Sequence, residues 1–210
     1  RYSSKRLRGK VLKKFGKLTL LEILIKRLRK SKKIDQIIVL TSKSNEDKKI
    51  INLCKKKKFR YFSGPLQNVF SRFKKAIKKF RPKKIIRICA DSPLIDWRII
   101  DKMINISNNN NFYDVISNVK IRTFPKGQSV EILNPKIFDL KNSSLSKDQK
   151  EHVTKYFYLN KKYKIKNIRN KIKFNKLNLS IDDNNDYIKI SRLIKKLGIY
   201  KPWSKYVKEL

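Results

Sequence analysis

Helix-type and strand-type patterns alternate along the first 118 residues, and this alternation most restricts the fold. Thr19 and Glu22 have capping-box spacing, and apolar residues at helical spacing follow to about residue 28. A continuous apolar run at 37–40 then indicates a strand buried on both faces. Alternating helices and strands imply a parallel sheet covered by helices on both faces and joined by right-handed crossovers. We therefore expect an α/β protein with a mostly parallel sheet.

The remaining elements follow from the same periodicities. In the first half, a helix opening at 44–47 precedes the expected strand at 59–62, helix at 67–80, strand at 84–89, helix at 97–107 and strand at 113–118. The second half is less regular, with expected strands at 129–134, 164–168 and 177–181 and helices at 148–160 and 184–197. Segments 108–111 and 141–148 are predicted loops. Because neither an internal repeat nor a Pro/Gly-rich linker interrupts the pattern, we expect residues 1–210 to form a single domain.

The charge balance is extreme, with 56 basic and 16 acidic residues and a net charge of +40. Such a chain attracts polyanions, and a nucleic-acid-binding module is therefore one alternative. The basic residues are spread over the whole chain, however, and no helix-turn-helix, ribonucleoprotein motif or zinc finger accompanies them. A chain-wide bias toward Lys, Ile and Asn explains the charge better, and we expect no specific nucleic-acid partner.

The cysteines and the lengths of the apolar stretches indicate the cellular compartment. Cys54 and Cys89 lie in apolar runs without metal-type spacing, which favours buried, reduced thiols. No apolar stretch approaches 18 residues, and no signal peptide is visible. We expect a cytoplasmic protein that does not enter a membrane.

Two carboxylates follow predicted strands. Asp91 comes just after the strand at 84–89, and Asp182 comes directly after the strand at 177–181. Ligands of doubly wound sheets bind outside the carboxyl ends of the strands, where two carboxylates could hold Mg²⁺ together with substrate phosphates. Each Asp could instead cap the helix that follows it, and both interpretations stay open.

The basic segment RYSSKRLRGK at 1–10 has the character of a phosphate-binding loop. Ser hydroxyls, backbone amides near Gly9, and Arg and Lys side chains can all contact phosphate oxygens. The chain contains no P-loop, no dinucleotide fingerprint and no nucleophile elbow. The only histidine, His152, makes a zinc site improbable.

Several blocks of the chain resemble, in order, the signatures of the CMP-sugar synthetases, and they resemble the SpsF-like cytidylyltransferases most closely. These families activate acidic sugars such as Kdo and sialic acids. The blocks cover almost the whole chain: RYSSKRLRGKVL, FGKLTLLE, IIVLTS, IIRICADSPLID, RTFPKGQSVE, KEHVTKYFY and LSIDDNNDY.

The resemblance implies a Rossmann-like, three-layer α/β/α nucleotide-diphosphosugar transferase fold. The first, central strand of that fold would end just before Arg1, so we expect the given chain to lack it. The implied reaction transfers CMP from CTP to an acidic 2-keto sugar with release of pyrophosphate, for surface polysaccharide biosynthesis. An irregular region at about 120–160 would serve substrate binding and dimerisation, which makes a homodimer possible.

The resemblance also assigns roles to individual residues. The implied nucleotide-binding residues are Arg1, Ser4, Arg6, Lys10, Arg72 and Arg87. Asp91 and Asp182 would hold Mg²⁺, with Lys10 and Asp91 taking part in catalysis. The implied substrate-binding residues are Gly127, Glu131 and His152.

This chain departs from the family signatures in loops that would contact substrate. The family has a proline at the position of Arg8, a glycine at Ala90 and an acidic residue at Ser129. The segment 65–71 also replaces an acidic run. A related sugar-transfer enzyme and an inactive homologue are therefore alternatives to the implied activity.

Overall fold

The computed structural model describes residue 2 and residues 6–210 of the chain. Helices and strands alternate over the first half in the order β1 (Lys14–Phe15), β2 (Leu18–Thr19), α1 (Leu20–Leu28), β3 (Val39–Ser42), α2 (Lys48–Lys56), β4 (Tyr61–Gly64), α3 (Val69–Phe80), β5 (Ile85–Arg87), α4 (Trp97–Asn108) and β6 (Val115–Ser117). The second half adds β7 (Glu131–Leu133), α5 (Lys147–Glu151), α6 (Lys155–Leu159), β8 (Ile165–Asn167), α7 (Asn184–Leu197) and α8 (Trp203–Val207). The predicted α/β class is confirmed.

The capping box at the start of α1 is formed as predicted. The backbone amide of Glu22 donates to Thr19 Oγ1 at 3.2 Å, and the Glu22 carboxylate accepts from the Thr19 amide at 2.8 Å. Both bonds satisfy amides that the first turn of a helix leaves without partners. The helix begins at Leu20, which is fully buried together with Ile23.

The strand pairs are mixed, with three antiparallel and two parallel pairs in the described residues, so the prediction of a mostly parallel sheet holds only for the directions of β5, β6 and β8. Strands β3 and β4 pair in parallel, with Val39 opposite Tyr61. A separate four-stranded sheet has the order β5-β7-β6-β8, in which β6 and β8 are parallel. Strand β7 is antiparallel to both of its neighbours, so β5, β6 and β8 share one direction and β7 opposes them. The amino end of β7 therefore lies at the same edge as the carboxyl end of β5.

The predicted helix at 148–160 is wrong, because the segment forms two short helices. A second capping box, between Ser146 and Gln149, starts α5, and His152 ends it with φ −96° and ψ 77°. The chain then turns into α6, which places Phe157 in an aromatic cluster against Phe138. Phe157 is fully buried there, whereas α5 has no buried residue. Burial of that ring requires a change of direction that helical periodicity does not show.

The predicted strand at 177–181 is also wrong as a ladder, since only one isolated bridge, Lys126 with Asn178, pairs it. Backbone bonds join Leu177 and Leu179 to Lys126 and Ile181 to Asp91, and side-chain bonds of Asn178 add to them. The Asn178 amide group donates to Asp186 at 2.9 Å, and its carbonyl accepts from the Ser180 backbone at 2.9 Å.

Three apolar clusters fill the spaces around the sheets, and one charged side chain lies among them. Arg27 is fully buried, and its Nε donates to the carbonyl of Ile95 at 2.7 Å. Its guanidinium also donates to the carbonyl of Ile199 and lies against the Tyr206 ring. Arg27 thereby joins α1 to the C-terminal segment that contains α8.

The two cysteines are unpaired; of the two thiols predicted to be buried, that of Cys54 is buried and Cys89 is partly exposed. Cys54 is fully buried, and desolvation raises its pKa to about 11. Within the described part of the chain, no helix combines the length and the apolar character needed to cross a membrane.

Candidate active site

The basic segment near the N-terminus ends in a tight turn that fixes the position of Lys10. Gly9 has a φ of 67°, in the left-handed region that favours glycine. A Cβ on Gly9 would lie 2.7 Å from the Tyr2 ring, and the Gly9 amide donates to the Tyr2 carbonyl at 2.7 Å. The turn therefore needs glycine for its backbone angle and for the close ring. Arg1 and Ser4, which the sequence assigns to the nucleotide, lie outside the described residues.

Asp91 and Asp182 converge on the ammonium group of Lys10. Lys10 Nζ lies 3.2 Å from Asp91 Oδ2 and 3.4 Å from Asp182 Oδ1, and it donates to the carbonyl of Ile181 at 2.8 Å. Arg6 adds a second cation, with Nη2 2.8 Å from Asp182 Oδ1. The Ile181 amide donates to the Asp91 carbonyl at 2.8 Å, which joins the two acidic segments. The structure thus brings together four predicted site residues.

The alternative interpretation of the two carboxylates as helix caps is wrong. Asp96 caps α4 by accepting from the Arg98 amide at 3.0 Å. Asp183 caps α7 by accepting from the Asp186 amide at 2.9 Å. The side chains of Asp91 and Asp182 remain 30% and 23% exposed and are directed to cations.

This arrangement fits a divalent cation that takes only some of its coordinating oxygens from the protein and the others from a bound phosphate ligand and water. No group of three or more His, Cys, Asp or Glu side chains that could hold a metal occurs in the described ranges. Two converging carboxylates are nevertheless sufficient for Mg²⁺, which is usually coordinated by one or two protein carboxylates and completes its coordination with water and phosphate oxygens. Arg6 and Lys10 balance the charge of Asp91 and Asp182 when no such ligand is bound.

A second cluster lies where β5 and β7 face each other. Arg87 and Glu131 are direct cross-strand partners and form an ion pair. The Tyr158 hydroxyl donates to Glu131 Oε1 at 2.7 Å and lies 2.7 Å from the hydroxyl of Ser117. Glu131 is only 2% exposed, so these partners satisfy a carboxylate that burial would otherwise make costly.

The pKa shifts in this cluster follow from burial and from its charges. Burial by itself lowers the pKa of Arg87, but the neighbouring Cys89 and Glu131 outweigh it and raise that pKa. Burial, reinforced by the negative charge of Glu131, raises the pKa of Tyr158. Arg87 therefore stays charged and Tyr158 stays protonated in the physiological range.

Cys89 connects the two clusters along the chain that leaves β5. Desolvation raises the pKa of its thiol, and the charges that act on the thiol are those of Arg87, Asp91, Glu131 and Lys10. Because Arg87 ends β5 and Asp91 follows it on the same short segment, both clusters lie at the carboxyl end of β5.

Arg72 and Gly127 have clear roles in holding backbone. Arg72 is buried, and its guanidinium donates to the carbonyls of Pro65 and Leu66 at 2.7 to 3.1 Å. Gly127 has a φ of 85°, and a Cβ there would lie 2.5 Å from the carbonyl carbon of Leu179. Arg72 thereby supports the loop after β4, and Gly127 permits close approach of the segment that leads to Asp182.

His152 lies at the junction of α5 and α6, and its side chain is 66% exposed. Its Nε2 is 3.7 Å from Asp148 Oδ1. Within residue 2 and residues 6–210, no hydrogen bond or ion pair connects its ring to Glu131 or Asp91. The structure does not bring His152 into either cluster.

Sequence reasoning missed Asp47, which is fully buried beside the carboxyl end of β3. Its carboxylate accepts from the Tyr2 amide at 2.6 Å, the Ser42 amide at 2.8 Å and Thr41 Oγ1 at 2.8 Å. Burial opposes ionisation, but these bonds outweigh it and lower the pKa of Asp47. Asp47 fastens the basic segment to the sheet, and its only signal in the sequence is its place three residues after Ser44.

This chain is similar to known proteins over most of its length. A family profile described as cytidylyltransferase matches residues 1–200. The spore coat polysaccharide biosynthesis protein SpsF of Bacillus subtilis is 33% identical over 208 residues, which are 94% of this chain and 85% of SpsF. An uncharacterized protein of Methanocaldococcus jannaschii, MJ1063, is 41% identical over 165 residues, and the match spans 76% of this chain but only 65% of that relative. The structure of a cytidylyltransferase from Leptospira borgpetersenii superposes with a TM-score of 0.93 at 29% identity and covers 100% of this chain and 90% of that one.

Proposed function

We propose that this chain, which belongs to the cytidylyltransferase family of nucleotidyltransferases, transfers CMP from CTP to an acidic 2-keto sugar and releases pyrophosphate. The observation that carries the proposal is the convergence of Arg6 and Lys10 with Asp91 and Asp182. Cations for a triphosphate and carboxylates for a divalent ion are the two requirements of phosphoryl-type transfer. The likeness to SpsF supports a role in making surface polysaccharide.

The cations of the site would bind the triphosphate by exchanging partners. In the free protein, Lys10 and Arg6 contact Asp91 and Asp182. When a triphosphate binds, its oxygens would take over these ammonium and guanidinium donors, and Arg1 and Ser4 would add further contacts. Lys10 would then offset the negative charge that grows on the departing pyrophosphate.

Asp91 and Asp182, released from Lys10, would hold Mg²⁺ by one or two carboxylate oxygens. Bound there, Mg²⁺ would supply charge neutralisation at the phosphates. The chain's own contribution is to hold the two carboxylates together, through the Ile181 amide that donates to the Asp91 carbonyl at 2.8 Å.

The acceptor would lie against the cluster of Arg87 and Glu131, beside Asp91. Its anomeric hydroxyl oxygen would form the new bond to the α-phosphorus as the bond from the α-phosphorus to the α,β-bridging oxygen breaks. Pyrophosphate would depart with that oxygen, and the hydroxyl proton would pass to water. Arg72, Arg87, Gly127 and His152 remain proposed site residues. Of these, Arg72 and Gly127 would act by shaping loops. A homodimer through residues 120–160 and a cytoplasmic location are further parts of the proposal.

The test measures pyrophosphate release by the purified protein with CTP, MgCl₂ and either Kdo or N-acetylneuraminate. We expect release with CTP and much less with ATP or UTP. Asp91→Ala should abolish it, because the proposed metal site loses one of its two carboxylates. Asp35→Ala, at an exposed carboxylate, is the matched control and should retain full activity. Absence of turnover with every sugar acid, or full activity of Asp91→Ala, would contradict the proposal.

A further inference from the structure

Asp182 follows the segment 177–181, which in the described part of the chain forms one isolated bridge and no ladder. We propose that Asp186, in the first turn of α7, is the positioning residue that holds Asp182 in the candidate metal site. This inference rests on the proposed function, in which Asp182 is a metal ligand, and it identifies the group that keeps this ligand in place. Asp186 acts through Asp182 and does not contact the metal.

The peptide group between Ile181 and Asp182 is held at both of its ends. Its carbonyl, which belongs to Ile181, accepts from Lys10 Nζ at 2.8 Å. Its amide, which belongs to Asp182, donates to Asp186 Oδ2 at 3.0 Å. Because a peptide group is planar, bonds at its two ends restrict the orientation of the whole plane. The Cα atom of Asp182 lies in that plane, so the same two bonds restrict where the Asp182 side chain begins.

The carboxylate of Asp186 is itself held by its neighbours. Its Oδ1 accepts from the side-chain amide of Asn178 at 2.9 Å and lies 3.3 Å from the ammonium group of Lys189. Asn178 Oδ1 accepts from the backbone amide of Ser180 at 2.9 Å and from its hydroxyl at 2.7 Å, so the side chain of Asn178 is fixed as well. Asp186 is only 9% exposed. Both of its oxygens therefore face donors of this chain, and burial holds the carboxylate in that orientation.

Asp186 also differs from Asp182 in the kind of partner it has. Asp182 Oδ1 lies 2.8 Å from Arg6 and 3.4 Å from Lys10, two cations that a triphosphate would draw away. In the same exchange, the Ile181 carbonyl would lose its bond from Lys10. The bond from the Asp182 amide to Asp186 would remain, because its donor is backbone and its acceptor is buried. Asp186 would therefore hold the metal ligand when the other partners of that ligand leave.

The experiment measures binding of Mn²⁺ alone, without nucleotide, by the electron paramagnetic resonance signal of the free ion. The background is Lys10→Met, which removes the ammonium group between the two carboxylates and leaves room there for a cation. In this background, Asp186→Asn should raise the Kd of Mn²⁺ by about tenfold, the lower end of the range for outer partners of metal ligands. An asparagine at 186 has one oxygen for two donors, Asn178 and Asp182, so one of the two bonds is lost.

Exchanging the side chains at 178 and 186 tests the hydrogen-bond pattern directly. In Asn178→Asp/Asp186→Asn, the carboxylate at 178 can accept from Ser180 and from the amide at 186, whose carbonyl can accept from Asp182. In the Lys10→Met background, the exchange should therefore recover most of the Mn²⁺ affinity that Asp186→Asn loses. Asn178→Ala is a milder second variant, because it leaves the bond between Asp182 and Asp186, and it should weaken Mn²⁺ binding by a smaller factor.

Asp114→Asn, in the same background, is the matched control. The Asp114 carboxylate also accepts from a backbone amide, that of Lys164 at 2.9 Å. Asp114 precedes β6, however, and so lies at the end of the sheet opposite to Asp91. This variant should melt at a lower temperature and bind Mn²⁺ as Lys10→Met does. Melting curves establish that each variant is folded at the assay temperature, and the comparison separates positioning from a general loss of stability.

The outcomes separate this inference from the proposed function. If Asp186→Asn and Asn178→Ala are folded and bind Mn²⁺ as tightly as Lys10→Met alone, Asp186 does not position the ligand, although the cytidylyltransferase proposal stands. If the exchange at 178 and 186 is folded but recovers no affinity, the hydrogen-bond pattern is not the cause and the inference is overturned. If Lys10→Met itself binds no Mn²⁺, Asp91 and Asp182 are not a metal site, and the inference falls together with the metal site of the proposed function.

Discussion

Replacement of Lys10 by methionine tests the centre of the candidate site. Methionine keeps most of the length of the side chain and removes only the charge that lies between Asp91 and Asp182. In the variant, Arg6 alone would face two converging carboxylates. We expect the metal-free variant to be less stable than the parent protein, because two like charges then repel each other without a central cation.

The size of the effect follows from the contacts of the ammonium group. Lys10 is 12% exposed and contacts two carboxylates and the carbonyl of Ile181. A hydrogen bond to a charged group contributes about 1.5–3 kcal/mol, and contacts that share one donor group do not add. Because Asp91 and Asp182 stay 30% and 23% exposed, solvent screens part of this energy. We expect a loss of about 2–3 kcal/mol in the free energy of unfolding, or about 4–12 °C in melting temperature for a chain of this size.

The assay compares melting temperatures with and without 5 mM MnCl₂, without nucleotide. In the parent protein, Arg6 and Lys10 already neutralise the carboxylates, so added cation should raise the melting temperature little. In Lys10→Met, a divalent cation can replace the missing charge, and it should recover most of the lost stability. Enzymatic pyrophosphate release should remain low in the variant even with the cation, because the proposed phosphate contact is gone.

Lys17→Met, at an exposed lysine in the β1–β2 turn, is the matched control. It should leave the melting temperature and its response to Mn²⁺ unchanged. The reasoning is refuted if Lys10→Met melts like the parent protein, or if Mn²⁺ stabilises the parent protein as strongly as the variant.

Three further predictions concern positions that support the site. Gly127→Ala should lower the free energy of unfolding by more than the ~1–2 kcal/mol cost of its left-handed backbone, since a Cβ would also lie 2.5 Å from Leu179. Gly16→Ala is the control, because Gly16 has a φ of 61° but open space around it, so that this variant carries the backbone cost alone. Urea titration measures both. Tyr158→Phe should cost about 1–3 kcal/mol by removing one partner of a buried carboxylate, measured by urea titration and contradicted by an unchanged midpoint. The lowered pKa of Asp47 stabilises the fold above the unfolded value of about 3.9, and this contribution is lost as the pH falls toward the folded pKa. Acid unfolding of Asp47→Asn should therefore depend less steeply on pH below about 4 than that of the parent protein, and parallel curves would contradict this.

The elements that could be predicted from sequence are those with local signals. The capping box at Thr19 sets the start of α1, and α7 occupies 184–197 as its periodicity indicates. The antiparallel direction of β7 could not be predicted, because an apolar run reports burial and not direction. The break at His152 was hidden for a similar reason: helical spacing of apolar residues continues through it, and only the packing of Phe157 in three dimensions requires the turn.

Only part of the candidate site could be predicted from the sequence: the acidic residues could, but their shared contact with Lys10 could not. Asp91 follows from the rule that ligands lie at the carboxyl ends of strands. Asp182 was predicted by the same rule from a strand at 177–181, which the structure reduces to one isolated bridge. The pairing of both carboxylates with Lys10 depends on tertiary contacts between distant segments, which one sequence does not reveal.

Acidic residues are the informative ones in a chain with 56 basic and 16 acidic residues. Asp47 lies beside the end of β3, Asp91 follows β5, and Glu131 begins β7, which opposes β5 and so reaches the same edge. Asp182 joins them through the bond between Ile181 and Asp91. Asp91 and Asp182 share the ammonium group of Lys10, whereas Asp47 and Glu131 each have amide or cationic partners of their own. The net charge of +40 therefore does not define the site, whereas the two carboxylates that share Lys10 do. In the proposed reaction, a phosphate ligand would bind Lys10, and a divalent cation would take the place of Lys10 between Asp91 and Asp182.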